Sequence, residues 1–122
     1  MEINKEYLDV FLEEADELLK SLENKDLRSN LEDYRRVAHT IKSSSKIMSL
    51  NNISETARII EYLLKKVINN EITLDDKLKE SIMKSFDILR KNIEHVRKKE
   101  KDVSSDNLND ETIKQFKTLI GE

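Results

Sequence analysis

The 122-residue sequence contains no cysteine and no proline, and its single glycine is Gly121, the residue before the last. Without cysteine, the chain can form neither disulfides nor thiolate metal sites. Folds rich in β-strands need turn residues that reach positive φ, so the scarcity of glycine argues against them. Only two histidines are present, which is too few for most histidine-based zinc sites unless carboxylates complete the ligand set.

Long apolar runs and an excess of positive charge are also missing. No run approaches the ~20 apolar residues of a membrane-spanning helix, and no signal peptide opens the sequence. Lys and Arg number 22 against 25 Asp and Glu, which gives a net charge of −3. Proteins that bind nucleic acid through its phosphates usually carry a basic excess. We therefore expect a soluble, cytoplasmic protein with no membrane insertion and no nucleic-acid partner.

Charged residues make up 39% of the chain, against ~25% in an average domain. This surplus is typical of amphipathic helices with solvated faces. Apolar residues recur at three- and four-residue steps in four stripes, which cover residues 7–22, 31–48, 53–68 and 78–96. Short connections favour antiparallel neighbours. The sequence thus predicts an all-α protein built as an antiparallel up-down-up-down four-helix bundle.

The carboxyl-terminal part of the sequence lacks a fifth full stripe. Residues 99–109 are polar and aperiodic, which predicts a linker. Asp110 could cap a short helix with apolar residues at helical spacing, namely Ile113, Phe116, Leu119 and Ile120. A helix of this length is unstable alone in water, so it should dock on the bundle or on a neighbour outside this chain. We predict a bundle over 1–98, a linker over 99–109 and a short accessory helix within 110–122.

The second predicted helix presents a histidine to solvent. On a helical wheel with ~100° per residue and Tyr34 in the middle of the apolar stripe, His39 falls about 140° away. Residues one or two turns from His39 on the same outer side are mostly cationic; they are Arg35, Lys42, Ser43 and Lys46. Ser43 is small and leaves room for a large group to approach the imidazole ring.

A neutral imidazole is a nucleophile, and an unperturbed one is largely neutral at pH 7. A phosphoryl group on the ring of His39 would bring negative charge, which Lys42 and Lys46 could stabilise through charge-assisted hydrogen bonds. The sequence has no glycine-rich phosphate loop and no obvious magnesium-binding cluster. The chain could therefore carry a phosphoryl group without a cofactor of its own, while partner domains would supply ATP and Mg²⁺.

Helical geometry alone leaves a second interpretation open, since most surface histidines on charged helices have no function. His95 also falls on the outer face of its predicted helix, near Lys91, Lys98 and Lys99. A histidine with basic neighbours thus occurs twice, and the wheel does not separate the two.

The local sequence does separate them. The string from His39 to Ser45, His-Thr-Ile-Lys-Ser-Ser-Ser, resembles the signature of histidine-phosphotransfer (HPt) domains, His-[Thr/Ser]-x-Lys-[Gly/Ser]-x-[Ser/Ala]. Glu61 lies at the edge of the third stripe, where HPt domains of the chemotaxis kinases carry a glutamate. Residues 11–19 resemble the first helix of the amino-terminal phosphotransfer domain of the chemotaxis histidine kinases of the CheA type. The resemblance covers residues 5–98.

The resemblance implies roles for individual residues. His39 would be phosphorylated on Nε2, Glu61 would accept a hydrogen bond from Nδ1–H, and Lys42 would support the phosphoryl group. Ser43 stands where many members have glycine, and Arg35 and Lys46 are further candidate binding residues. Arg58 occupies a place where some chemotaxis kinases carry a second histidine, and its charge could disfavour the protonated form of His39.

The resemblance also implies partners. The domain would accept a phosphoryl group from the ATP-binding domain of a histidine kinase and pass it to an aspartate of a response-regulator receiver domain. It would be a carrier and not a catalyst by itself. The alternative is a helical adaptor that binds a partner protein through an apolar groove and performs no chemistry. Ile59 points off its stripe and is either an isolated surface residue or part of a docking patch beside His39.

Overall fold

The computed structural model describes residues 3–122 and, over that range, contains five α-helices and one short 3₁₀ helix without any β-strand. The first two residues of the predicted bundle lie outside the described range. The helices are α1 (Lys5–Lys20), α2 (Leu31–Ile47), α3 (Asn51–Ile68), α4 (Asp76–Lys99) and α5 (Glu111–Leu119), and the 3₁₀ helix Ser105–Asn109 precedes α5. Contacts between α1 and α2, α2 and α3, α3 and α4, and α4 and α1 close a ring. The predicted all-α, antiparallel four-helix bundle with a short fifth helix is confirmed.

The core is filled by apolar side chains from every helix, and Tyr34 and Phe86 are among the largest that are fully buried. Their rings meet edge to face with centroids 5.2 Å apart, a favoured arrangement of aromatic quadrupoles. The Tyr34 hydroxyl donates a 2.6 Å hydrogen bond to the carbonyl oxygen of Lys25. This bond satisfies the buried hydroxyl and fixes the connection between α1 and α2 against the core.

Helix α5 is capped at its predicted residue, α1 is capped by Asn4, and α3 is capped by a residue distant in sequence. Asn4 Oδ1 accepts hydrogen bonds from the backbone N–H groups of Glu6 and Tyr7, and Asp110 caps α5. The start of α3 has no side-chain cap from the residue before it. Instead the Asp102 carboxylate reaches it from beyond α4 and accepts the backbone N–H of Asn52 at 2.7 Å. A cap of this kind is worth about 1 kcal/mol.

The turns between helices reach the left-handed backbone region without glycine. The non-glycine residues with positive φ are Asn24, Ser49, Asn70 and Glu100. Asparagine tolerates this region because its short amide bonds locally, whereas other residues lose roughly 1–2 kcal/mol there. Ser49, with φ of 61°, forms the tight turn that brings α3 back along α2. The chain thus makes sharp turns between its helices without glycine.

The segment that we predict as a linker, 99–109, is in contact with the bundle. Besides the Asp102 cap, Asn107 Nδ2 donates a 2.7 Å hydrogen bond to Thr56 Oγ1 on α3. Helix α5 then packs on α3 and α4, with Ile113 and Phe116 fully buried. Burial of each such side chain is worth about 1.5–3 kcal/mol. The fifth helix was expected to dock either on the bundle or on a neighbour outside this chain, and it docks on the bundle. The domain boundaries at 98 and 109 stay a prediction.

Two assignments from the helical wheels are wrong. Tyr7, which we placed in the first apolar stripe, is 66% exposed, and Ile59, which we placed at the surface, is fully buried. Helix α3 contacts α2, α4, α5 and the 3₁₀ helix, so a single apolar stripe does not describe it, and Ile59 belongs to the core. No helix within residues 3–122 is both long and apolar enough to cross a membrane.

Candidate functional site

The pairing of α2 with α3 brings His39 against Glu61. Nδ1 of His39 lies 2.7 Å from Oε2 of Glu61. An ionised carboxylate can only accept hydrogen bonds, so Nδ1 carries the proton and the lone pair of a neutral ring is on Nε2. The His39 side chain is 48% exposed, whereas that of Glu61 is 3% exposed. The site therefore combines an accessible ring with a buried carboxylate that fixes its tautomer.

The buried Glu61 is surrounded by cations. Lys42 Nζ donates to Oε1 at 2.8 Å, and Arg35 Nη1 donates to Oε2 at 3.1 Å. Burial by itself raises the pKa of Glu61, but the hydrogen bonds from Lys42 and His39 outweigh it and bring the pKa below its ordinary value. Glu61 is therefore ionised at neutral pH, as a permanent acceptor for the His39 N–H must be.

Helix spacing explains how α2 supplies three of these groups. Arg35, His39 and Lys42 follow one another at steps of four and three residues, which places them on one face. Below that face, α2 and α3 are held together where Ser54 Oγ donates a 2.9 Å hydrogen bond to the carbonyl oxygen of Lys42. Ala38 is fully buried on α2. It is the residue immediately before His39 in sequence.

The other predicted residues lie beside this cluster and not in it. Ser43, Lys46 and Arg58 line an open groove of about 740 Å³ that Lys42 also borders. Arg58 donates hydrogen bonds to the carboxylates of Glu55 and Glu122, each with a shortest distance of 2.6 Å. These bonds raise the pKa of the Arg58 guanidinium above its ordinary value, Glu122 more than Glu55. Among the hydrogen bonds of residues 3–122, Arg58 is thus engaged by carboxylates and not by His39.

Two charged residues near the site were not predicted as part of it. Glu32 accepts hydrogen bonds from Nε and Nη2 of Arg35, at 2.9 and 2.6 Å. Lys65 Nζ lies 3.7 Å from Oε2 of Glu61, one turn along α3. Spacing of three or four residues between opposite charges is the signal that could have identified both. It is a weak signal, because such pairs are common on solvated helix faces.

The Hpt domain family matches residues 6–109. This range includes α1 to α4 and the 3₁₀ helix, which is most of the chain. The chain belongs to the Hpt domain family. The prediction that the chain belongs to this family, which was made from the string that begins at His39, is confirmed.

A chemotaxis protein and a sensor histidine kinase are among the relatives of this Hpt domain. The chemotaxis protein CheA of Borreliella burgdorferi is 25% identical over 95 residues, which cover 71% of this chain and 11% of the relative. The sensor histidine kinase CheAY of Helicobacter pylori is 27% identical over an alignment of 128 residues, covering 97% of this chain and 16% of the relative. The chain therefore spans only a small part of the length of the kinases that it resembles.

A solved structure has the same fold. It is the phosphorylated P1 domain of CheA3 from R. sphaeroides, crystallised in complex with CheY6. The two folds superpose with a TM-score of 0.80 at 20% sequence identity, over 94% of this chain and 95% of the other. At this identity the likeness establishes the helical arrangement of the Hpt domain, and the chemistry has to be argued from its own residues.

Proposed function

We propose that this Hpt domain carries a phosphoryl group on Nε2 of His39, between the ATP-binding domain of a histidine kinase and an aspartate of a response-regulator receiver domain. The observation that carries the proposal is the 2.7 Å contact between Nδ1 of His39 and Oε2 of Glu61. It assigns the proton to Nδ1 and leaves Nε2 as the nucleophile, on a ring that is 48% exposed.

The first transfer is a displacement at phosphorus. The Nε2 lone pair forms a bond to the γ-phosphorus of ATP, the bond from that phosphorus to the bridging oxygen breaks, and ADP leaves. The proton stays on Nδ1, so the ring becomes a phosphoimidazolium whose positive charge faces Glu61. In the second transfer a carboxylate oxygen of the receiver attacks phosphorus, the N–P bond breaks, and Nε2 recovers its lone pair.

The neighbours of His39 stabilise and admit the phosphoryl group. Lys42 is 27% exposed, and its flexible stem lets the ammonium turn from Glu61 to the phosphoryl oxygens. Ser43 offers little steric obstruction beside the ring. Lys46 lines the adjoining groove, where it would face an approaching acidic partner. Arg58 lines the same groove, but its guanidinium is already bonded to Glu55 and Glu122. Arg35 acts through Glu61.

The kinase parts lie outside these 122 residues in this proposal. ATP and Mg²⁺ belong to the kinase domain, so the Hpt domain needs no cofactor of its own, and a cytoplasmic location follows from the need for ATP. A receiver of the CheY type is the favoured acceptor. Support for it comes from the names of the relatives, which are chemotaxis kinases, and from the R. sphaeroides P1 domain, which was crystallised with CheY6.

Chemical phosphorylation tests the proposal without any partner protein. The chain is incubated with phosphoramidate, and the product is examined by intact mass and peptide mapping. We expect one acid-labile phosphoryl group on His39, its loss in His39→Gln, and its retention in the matched variant His95→Gln. Circular dichroism should show an unchanged helical content in both variants. Equal labelling of the two histidines, or none at all, would contradict the carrier role and favour the adaptor.

A further inference from the structure

One oxygen of Glu61 is shared by two donors of different kinds. Oε2 accepts a hydrogen bond from His39 Nδ1 at 2.7 Å and another from Arg35 Nη1 at 3.1 Å. The Arg35 side chain is 22% exposed, and that of Glu61 is 3% exposed. The two donors therefore compete for the same buried negative charge, in a place where water weakens the interaction little.

The Arg35 guanidinium is held in this position from its other side. Glu32, one turn earlier on α2, accepts its Nε and Nη2 donors at 2.9 and 2.6 Å. This fork leaves Nη1 directed at Glu61. All three guanidinium nitrogens are thus engaged by carboxylates. A planar guanidinium held by a fork is less free to turn to a phosphoryl group than the ammonium of Lys42.

We propose that Arg35 is a positioning residue that weakens the hold of His39 on a proton and on a phosphoryl group. It does so by partly neutralising the negative charge of Glu61. A carboxylate that already serves a guanidinium stabilises a positively charged imidazole less than a carboxylate that serves the imidazole alone. Arg35 thereby keeps Glu61 able to orient the ring without making the phosphoimidazolium too stable to pass on. The inference rests on the proposed role of His39.

Removal of Arg35 should affect the binding of a proton and of a phosphoryl group to His39 in the same direction, because both add a positive charge to the ring. Phosphorylation of Nε2, like its protonation, converts a neutral ring into a cationic one with the proton still on Nδ1. Both products are stabilised by the negative charge of Glu61 and destabilised by a cation that neutralises it. Removal of Arg35 should therefore favour both forms of the cationic ring.

The charged groups around His39 come from two helices. On its own helix they are Arg35 and Lys42, and on α3 they are Glu61 and Lys65. Helix α1 contributes Glu14 farther along α2, where it accepts a hydrogen bond from Ser44 Oγ. Lys65 provides a matched control, because it also faces Oε2 of Glu61. It stands at 3.7 Å with a side chain that is 51% exposed.

The test compares Arg35→Gln with Lys65→Gln, each of which removes one positive charge near the same oxygen. The His39 ring is titrated by NMR, and the pH profile of labelling by phosphoramidate is recorded. We expect the titration midpoint of the His39 ring to be higher in Arg35→Gln than in the wild-type chain, because a cation that neutralises Glu61 is lost. Phosphorylated His39 should also hydrolyse several-fold more slowly. Lys65→Gln should change both quantities by less than half as much.

Arg35→Lys separates charge from packing, because it keeps the cation and should return the midpoint toward the wild-type value. An unchanged midpoint in Arg35→Gln, or equal shifts in Arg35→Gln and Lys65→Gln, would overturn the inference. Failure of the proposed function would be seen differently, as absence of a label on His39 in the wild-type chain. The NMR titration tests the Arg35 contact in either case.

Discussion

His39 and His95 are the two histidines of the chain, and their ring nitrogens have opposite surroundings. Nδ1 of His39 is bonded to a buried carboxylate, and the ring is nearly half exposed. Nε2 of His95 is buried and has no hydrogen-bond partner within the part of the chain that the structure describes. The prediction that His95 lies on the outer face of its helix is therefore wrong for Nε2, and the residue as a whole is half-buried.

The difference between the two histidines comes from the neighbouring helix. Helix α3 presents Glu61 to His39 because α2 and α3 pack along most of their length. The nearest glutamate to His95 in sequence is Glu94, and its carboxylate accepts a hydrogen bond from Arg97. Lysines one turn away are common to both histidines, so they do not identify a site. A carboxylate that reaches the ring across a helix interface does.

Loss of the orienting carboxylate should produce the largest change in this comparison. In Glu61→Ala, either nitrogen of His39 can carry the proton, and the phosphoimidazolium loses its counter-charge. We expect the initial rate of labelling by phosphoramidate to fall roughly ten- to a hundredfold, which is the loss of affinity or activity that metal-binding histidines show without their orienting partner. The matched variant Glu94→Ala should retain the wild-type rate. A wild-type rate in Glu61→Ala would remove Glu61 from the site.

A small electrophile should distinguish the two histidines by a smaller factor. Diethyl pyrocarbonate acylates neutral imidazole nitrogens that it can reach, and it needs no phosphate-binding groups. We expect His39 to be modified several-fold faster than His95, since Nε2 of His95 is buried. Time-resolved peptide mapping would measure both rates in one sample. Faster modification of His95 would contradict the burial of its Nε2.

The smallest expected effect is on stability as a function of pH. The pKa of Glu61 in the folded chain lies below its ordinary value, so the group binds protons less readily than in the unfolded chain. Its contribution to stability is full above the unfolded pKa of ~4.3. It is lost as the pH falls through the folded pKa.

In Glu61→Gln, the free energy of unfolding should therefore decline less between about pH 5 and pH 3 than in the wild-type chain. Urea denaturation at a series of pH values measures this slope. Glu94→Gln, beside His95, is the control and should keep a slope close to that of the wild type. A steeper decline of the free energy of unfolding in Glu61→Gln would mean that ionisation of Glu61 does not stabilise the folded chain.

Much of the fold could be predicted from residue spacing, because a helix repeats its buried face every three or four residues. The four stripes correspond to α1 to α4, and Asp110 caps the short helix that it was expected to cap. The spacing could not place Ile59, because a single wheel assumes one buried side. It also could not find the Asp102 cap on α3, which joins residues about 50 positions apart in sequence.

The candidate site was also predicted only in part from the sequence. The string that begins at His39, and the position of Glu61 at the edge of its stripe, identified the two residues that the structure brings together. For Arg58 the sequence indicated a position near the site. The structure decided that its guanidinium is bonded to Glu55 and Glu122. For Arg35 the sequence indicated a binding residue, and the structure decided that it contacts Oε2 of Glu61, the oxygen that also accepts the His39 N–H. That contact depends on the distance between two helices.

The sequence by itself determined the all-α class, the order of the helices and the histidine with a family signature. The class and the helix order depend on composition and on periodicities within single helices, and the histidine was singled out by a short string that resembles the family signature. The tertiary structure alone decided which cations surround Glu61 and where the segment after α4 makes its contacts. Those features depend on side chains from different helices meeting within hydrogen-bond distance. Helix packing sets that distance, and no pattern within one helix encodes it.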